Sequence, residues 1–274
     1  MTKEKLFRNI AKKVLNEILQ KLPGLCPDQY VGQIGKLKQL EDTDKNTGKK
    51  KSNFPERINV FTKDFSDRIE KNSSYMILIL ESPHKDEFKG EIGPAKGPTG
   101  RNIRKHIADI FGKEYKDYHL ILMNAIPFQC SLGVNPKIFR DKVFVKTWKD
   151  FGESFFQTRL TNLIKLLKEK ENDVVVVNAC TQGSNNLKEF LCCKVCKIII
   201  EILCNRGCGP TAGKKQSIGY YHIHHPASWE RKSQEKKFYE IDTEAIKLCF
   251  EYPGNCAKCM ISEKEDCYGM ITCK

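Results

Sequence analysis

Four short apolar runs, each ended by a polar side chain, constrain the fold of this chain more than any other feature. The runs are residues 75–80, 119–123, 174–177 and 220–223. Unbroken apolar runs predict strands that are buried on both faces, and strands that alternate with helices predict a mostly parallel sheet. We therefore predict an α/β fold, a three-layer α/β/α sandwich around a central, mostly parallel sheet of four strands.

Apolar residues recur at helical spacing in the segments outside these runs. Helices are expected at residues 3–22, 147–169, 185–204 and 234–251. The chain then divides into three parts. Residues 1–70 hold the amino-terminal helix and a basic loop packed on the core, residues 71–252 form the α/β domain, and residues 253–274 form a cysteine-rich tail.

Polar side chains follow the predicted strands at the points where they end. Because the carboxyl ends of parallel strands meet at one edge of a sheet, we expect these side chains to form one site. They are Glu81, Ser82, His84, Asn124, Gln129, Asn178, His224 and His225. A carboxylate and a histidine can divide acid–base or charge-stabilising work, and an asparagine can read a planar base edge.

A glycine-rich loop at residues 93–100 follows the first strand and leads into a helix. Pro83 cannot extend the strand ladder, so the chain must turn there. Backbone amides near Gly100 at the helix start suit a phosphate. An ordinary turn is the alternative interpretation of this loop.

The charge of the chain favours an acidic partner. The net charge is +13, which indicates nucleic acid, although a merely soluble basic surface is the alternative. The apolar runs are shorter than a membrane span, and no signal-peptide pattern opens the chain. We therefore expect a cytoplasmic protein that does not bind a membrane.

Four blocks of the sequence resemble the uracil-DNA glycosylase superfamily, and they occur in the family's order. They are residues 80–84 with the loop at 93–100, then 120–125, 174–179 and 225–228. The resemblance is closest to the thermophile-type branch, whose first loop begins with glutamate. It implies a monofunctional DNA glycosylase, which hydrolyses the N-glycosidic bond of a flipped base and leaves an abasic site.

The resemblance also assigns roles to residues. Glu81 would orient the attacking water or stabilise the positive sugar, His225 would stabilise negative charge on the leaving base, and Asn124 would bind the flipped base. Further base-contacting candidates are Ser82, His84, Ala95 and Gln129. Candidates for contacts with the DNA are Gly97, Thr99, Gly100, Arg101, Ser228 and Trp229. Trp229 would be the wedge inserted into the duplex, with an ordinary core position as the alternative.

One departure from the family concerns the substrate. Ala95 stands where the family branch has a phenylalanine that stacks on uracil, so the pocket is expected to be wider. One branch of similar pattern removes glucosylated hydroxymethylcytosine from virus DNA as a bacterial defence, and we expect a substrate of that kind. The alternatives are a uracil-DNA glycosylase of base excision repair, a non-catalytic DNA-binding module on the same fold, and a small-molecule nucleoside hydrolase or deoxyribosyltransferase.

The chain has 13 cysteines, which we interpret mainly as reduced, buried thiols. Only Cys26 precedes the first loop, so the iron–sulfur cluster of the thermophile-type branch is not supported. Four tail cysteines could bind zinc, namely Cys256, Cys259, Cys267 and Cys273, but their spacing is wider than usual. We therefore predict no metal and no cofactor, and a monomer that binds single- or double-stranded DNA carrying a modified or damaged pyrimidine.

Overall fold

The computed structural model describes residues 25–38, 54, 56–128, 145, 147–181, 191–205, 218–223, 225–229 and 239–240. The predicted helix at 3–22, the basic loop before residue 54 and the tail at 253–274 lie outside these residues. So do Gln129, His224 and most of the predicted last helix.

A seven-stranded sheet lies at the centre of the fold. Its strands are β1 (Gln29–Gln33), β2 (Ile58–Asn59), β3 (Ser74–Leu80), β4 (His119–Asn124), β5 (Asp173–Asn178), β6 (Ile218–His222) and β7 (Tyr239–Glu240). Their spatial order is β2-β1-β4-β3-β5-β6-β7. Strands β4, β3, β5 and β6 are the four predicted strands, and they are mutually parallel neighbours.

Three antiparallel strands extend the sheet beyond the four that the sequence predicts. Strand β1 pairs with β4, β2 pairs with β1, and β7 pairs with β6. Strands β1 and β2 lack a continuous apolar run, so no strand was expected there. Strand β7 lies within residues 234–251, where the helical spacing predicted a helix. The prediction of a helix is wrong at residues 239–240, because backbone pairing with β6 overrides the local pattern.

Five α-helices are present in the described part of the chain. They are α1 (Ile34–Leu37), α2 (Lys63–Arg68), α3 (Pro98–Phe111), α4 (Glu153–Lys168) and α5 (Leu191–Asn205). A π-helical turn, Trp148–Gly152, leads into α4. Short 3₁₀ helices occur at Lys85–Phe88, Lys113–Tyr115 and Pro226–Ser228. None of the helices in the described ranges is both long and apolar enough to cross a lipid bilayer.

The sheet carries a hydrophobic core on each face. Ile77 and Ile79 of β3 belong to one core, which includes residues of α4 and α5. Met76 and Leu78 of the same strand belong to the other core, which includes residues of α1 and α3. Successive residues of the strand face opposite cores, so every position needs an apolar side chain. This explains the unbroken apolar runs in the sequence. The expectation of an α/β fold with helices on both faces of a mostly parallel sheet is confirmed.

Candidate active site

The register of the parallel strands places the predicted site residues at one edge of the sheet. Leu80 pairs with Asn124, and Ile79 pairs with Asn178. Beyond the strands, the Ile126 amide donates to the Glu81 carbonyl at 3.0 Å. Glu81 and Asn124 therefore lie at adjacent strand ends. His225 follows β6, which ends at the same edge.

Glu81 is nearly buried, with 8% of its surface exposed. The Thr181 hydroxyl donates a hydrogen bond to its Oε2 atom. The chain past β5 is held close to β3, because the Cys180 thiol donates to the Leu80 carbonyl at 3.4 Å. The carboxylate of Glu81 is thus oriented by a hydroxyl from the neighbouring strand end. Thr181 was not predicted, although its place just after the third apolar run is the signal that could have found it.

Asn178, the polar residue at the end of β5, has a structural role. Its Nδ2 atom donates to the Cys192 carbonyl at 2.9 Å, and its Oδ1 atom accepts from the Cys180 amide at 3.1 Å. The side chain is fully buried. Because both ends of the amide bind backbone groups, Asn178 joins β5 to α5.

Asn124 is buried at the end of β4, and its Nδ2 atom donates to the Cys26 sulfur at 3.6 Å. Its carbonyl accepts from Arg159 Nη2 at 2.6 Å. The same guanidinium binds both oxygens of Asp28, at 2.7 and 2.8 Å. A bidentate pair of this kind fixes geometry as well as adding energy. The buried Asp28–Arg159 pair therefore holds the strand end that carries Asn124.

The surroundings of the Cys26 thiol beside Asn124 disfavour its thiolate form. Burial raises the pKa of Cys26, and Glu87 and Asp28 raise it further. A thiol that stays protonated is weakly reactive and acts as a small polar neighbour.

His225 is presented as a neutral imidazole. Its Nδ1 atom accepts from the Ala227 amide at 3.2 Å, so its proton lies on Nε2. Burial lowers the pKa of His225 to about 4. The loop that carries it is held against α3, because Asn102 Nδ2 donates to the Pro226 carbonyl at 3.0 Å. A fixed, uncharged donor at Nε2 suits a developing anion.

The neutral state of His225 can be tested by nitrogen-detected NMR of the imidazoles. We expect the His225 signals to show the neutral tautomer, protonated at Nε2, down to about pH 5, and to titrate near pH 4. The physical reason is that burial disfavours the charged form. The spectrum of His225→Gln identifies the signals by difference. Titration near the ordinary value of about 6.5 would contradict this description.

Ser82 and His84, in the loop after β3, have different surroundings. The Ser82 Oγ atom is buried and has no hydrogen-bond partner among the described residues. His84 is partly exposed, and its Nδ1 atom accepts from the Asp86 amide at 3.3 Å, which caps the short helix at 85–88. Ser82 therefore has an unused hydroxyl at the site, whereas His84 organises the loop.

Ala95 contributes its backbone rather than its side chain to this region. It has a positive φ of 54° and is fully buried in the core on the α3 face. Its amide donates to the carboxyl group of Glu87. The prediction that position 95 widens the base pocket and contacts the base is therefore not supported, because the Ala95 side chain packs among core residues.

Backbone amides that were expected to be free at the start of α3 donate hydrogen bonds within the same turn. The amides of Gly100 and Arg101 both donate to the Gly97 carbonyl, at 3.1 and 3.3 Å. They are therefore not available to a phosphate, and that part of the sequence prediction is wrong. Pro98 has no amide hydrogen, so the partly buried Thr99 and the exposed Arg101 side chain are what this helix start can offer to DNA.

Trp229 is not a wedge. It is only 3% exposed and belongs to the core on the α3 face. Burial of a large aromatic ring stabilises the fold, and the core interpretation of Trp229 is the one that the structure supports. Ser228 lies in the 3₁₀ helix just before it, with its backbone alone described.

Gly100 is required by a close backbone approach. A Cβ atom at this position would lie 1.7 Å from the Ala95 carbonyl oxygen. We expect Gly100→Ala to lower the free energy of unfolding by about 3 kcal/mol, because two backbone segments must separate. Urea denaturation measures the change. Gly97→Ala is the matched control, since no atom lies within 4 Å of its added Cβ. Equal stability of the two variants would contradict the close approach.

The described ranges contain no group of three or more histidine, cysteine, aspartate or glutamate side chains that could hold a metal ion. The four tail cysteines lie outside these ranges. No protein-family model matches the chain, and no curated protein sequence is significantly similar to it.

Proposed function

We propose that this protein is a monofunctional DNA glycosylase, and that its sheet is an extended form of the uracil-DNA glycosylase fold. One observation carries the proposal. An oriented, nearly buried carboxylate, Glu81, and a neutral histidine, His225, follow parallel strands that end at one edge of the sheet. Asn124 ends the neighbouring strand β4 at the same edge, where it pairs with Leu80, the residue before Glu81. The positive net charge of the chain supports a polyanionic substrate.

The proposed reaction divides between these side chains. As the bond between C1′ and the base nitrogen breaks, its electron pair moves onto the base, and the sugar becomes positively charged. Glu81 stabilises that positive charge and orients a water molecule, whose oxygen adds to C1′ while its proton passes to the Glu81 carboxylate. His225 donates from Nε2 to the anionic base, which takes up a proton on release. The products are a free base and an abasic site.

The substrate we propose is a pyrimidine larger than uracil, with glucosylated hydroxymethylcytosine as the leading case. The resemblance of the four sequence blocks to the branch that acts on this base is the basis of the choice. Uracil is the alternative. Mass spectrometry of the bases released from two matched DNAs, one with uracil and one with glucosylated hydroxymethylcytosine, decides between them. Release of uracil alone would identify a repair activity, and release of neither base from bound DNA would favour a non-catalytic binding module.

The arrangement at α3 favours a second candidate, an enzyme that hydrolyses free nucleosides. Two of the predicted DNA contacts, the Gly100 amide and the Trp229 ring, are used inside the fold. The two candidates differ in their dependence on salt, because a polyanion releases counterions on binding and a nucleoside does not. A steep fall in affinity between about 50 and 200 mM salt is expected for the glycosylase.

A further inference from the structure

Thr181 contacts the proposed reaction centre but has no part in the reaction described above. Its hydroxyl donates a hydrogen bond to the Oε2 atom of Glu81. A hydrogen bond to an ionised carboxylate is shorter and about twice as strong as one between neutral groups. A carboxylate that is bound at one oxygen cannot turn freely about its terminal bond, so the hydroxyl restricts the orientation of Glu81.

The backbone around Thr181 is held from two sides. On the side of β3, the Ala179 amide donates to the Ile79 carbonyl at 2.9 Å. On the side of α5, the Thr181 carbonyl accepts from the Cys192 amide at 3.1 Å. Neither bond uses the side chain of Thr181, so both can persist when that side chain is replaced. The hydroxyl is therefore in position before a substrate binds, as preorganised stabilisation requires.

Two opposing effects act on the charge of Glu81. The side chain is nearly buried, and burial disfavours the ionised form of a carboxyl group. A donor that binds the carboxylate favours the ionised form. The proposed reaction needs that form, because Glu81 stabilises a positive sugar and takes a proton from water. The Thr181 hydroxyl therefore acts in the direction that the reaction requires.

Titratable groups from three strand ends share this edge of the sheet with Glu81. They are Cys180 after β5, His225 after β6 and His84 after β3. Burial and the charge of Glu81 raise the pKa of Cys180, so the thiol stays protonated. Burial lowers the pKa of His225 to about 4, so the imidazole is uncharged at neutral pH. The Nδ1 atom of His84 lies 3.1 Å from the Asp86 carboxylate. Replacement of Thr181 leaves all of these groups in place.

We propose that Thr181 is a positioning residue of the glycosylase reaction, whose hydroxyl holds Glu81 ionised and in a fixed orientation. This inference rests on the proposed function, and Thr181 acts through Glu81 rather than on the substrate. Thr181 is exposed, so its replacement creates no buried cavity. A hydroxyl that served only stability would leave the pH dependence of the reaction unchanged, whereas a donor to the carboxylate shifts it.

The test compares base release by wild type, Thr181→Val and Thr181→Ser between about pH 4 and about pH 8. Valine keeps the shape of threonine without its hydroxyl, so kcat should fall about tenfold near neutral pH, with KM changed less than about twofold. The pH below which base release is lost should rise by about one unit, because a carboxylate without its donor is protonated more easily. Serine keeps the hydroxyl, and its kcat should stay within about threefold of wild type.

Two controls show whether the effect is specific to the contact with Glu81. Thr158 is an exposed threonine whose hydroxyl donates to the Ser154 carbonyl at 2.9 Å within α4. Thr158→Val should keep the kcat and the pH profile of wild type. The double variant Glu81→Gln with Thr181→Val should release base as slowly as Glu81→Gln alone, because Thr181 acts only through Glu81.

Carboxyl-carbon NMR separates this inference from the function on which it rests, since it needs no base release. The Glu81 signal, identified by its absence from Glu81→Gln, should titrate about one pH unit higher in Thr181→Val than in wild type. An unchanged titration, an unshifted pH profile of base release, or a serine variant as slow as the valine variant would overturn the inference. Failure of wild type to release any base would overturn the proposed function, even where the titration shifts.

Discussion

Replacement of Glu81 by glutamine is expected to lower base release by about 1,000-fold while DNA binding is retained. The amide is nearly the same size and can still bind the Thr181 hydroxyl, so the local fold should persist. It carries no negative charge, however, and can neither stabilise a positive sugar nor take a proton from water. Single-turnover measurement of base release, paired with a binding assay on the same DNA, separates the two effects.

The matched control for this prediction is Glu114→Gln, which changes an exposed acid in the short helix before the amino end of β4. It should release base at the wild-type rate. Equal rates for Glu81→Gln and wild type would remove Glu81 from the reaction. A combined loss of binding and base release would instead indicate that Glu81 holds the loop in place.

Replacement of Arg159 by leucine is expected to lower the free energy of unfolding by about 3–5 kcal/mol. The side chains of Asp28 and Arg159 are only 1% and 7% exposed, and the substitution leaves a buried carboxylate without its cation. The Asn124 carbonyl loses its partner as well. Urea denaturation followed by far-ultraviolet circular dichroism measures the change.

Two further proteins make this prediction specific. Arg68→Leu removes the cation of an exposed pair with Asp64, and its effect should be below about 1 kcal/mol. The double variant Asp28→Asn with Arg159→Leu should be more stable than Arg159→Leu alone, because no charge is left buried. A double variant less stable than the single one would show that the cost lies in lost packing around Arg159.

The sequence predicted the central part of the fold because a strand that is buried on both faces has an unbroken run of apolar residues. Four apolar runs gave four neighbouring parallel strands, and Glu81 and Asn124 lie at the adjacent ends of two of them. The outer strands have no such apolar run. Strand β1 carries polar residues at both ends, and β7 has two residues, so their pairing depends on partners that are distant in sequence.

Sequence reasoning about single residues was wrong where packing decides. Trp229 could be a wedge or a core residue by sequence alone, and burial against the α3 face settles which. The amide of Gly100 was expected to be free, but the chain turns tightly enough for the Gly97 carbonyl to take it.

The sequence by itself determined the alternation of strands and helices, the positive charge, and the polar residues that end each strand. Only the tertiary structure decided which groups act on those residues. Thr181 reaches Glu81 from another strand, and Arg159 reaches Asn124 from a helix. Burial in the folded protein raises the pKa of Glu87. The physical reason is that the apolar pattern of a strand or helix depends on residues that are neighbours in sequence. The burial and hydrogen bonding of a site residue depend on distant segments that folding brings together.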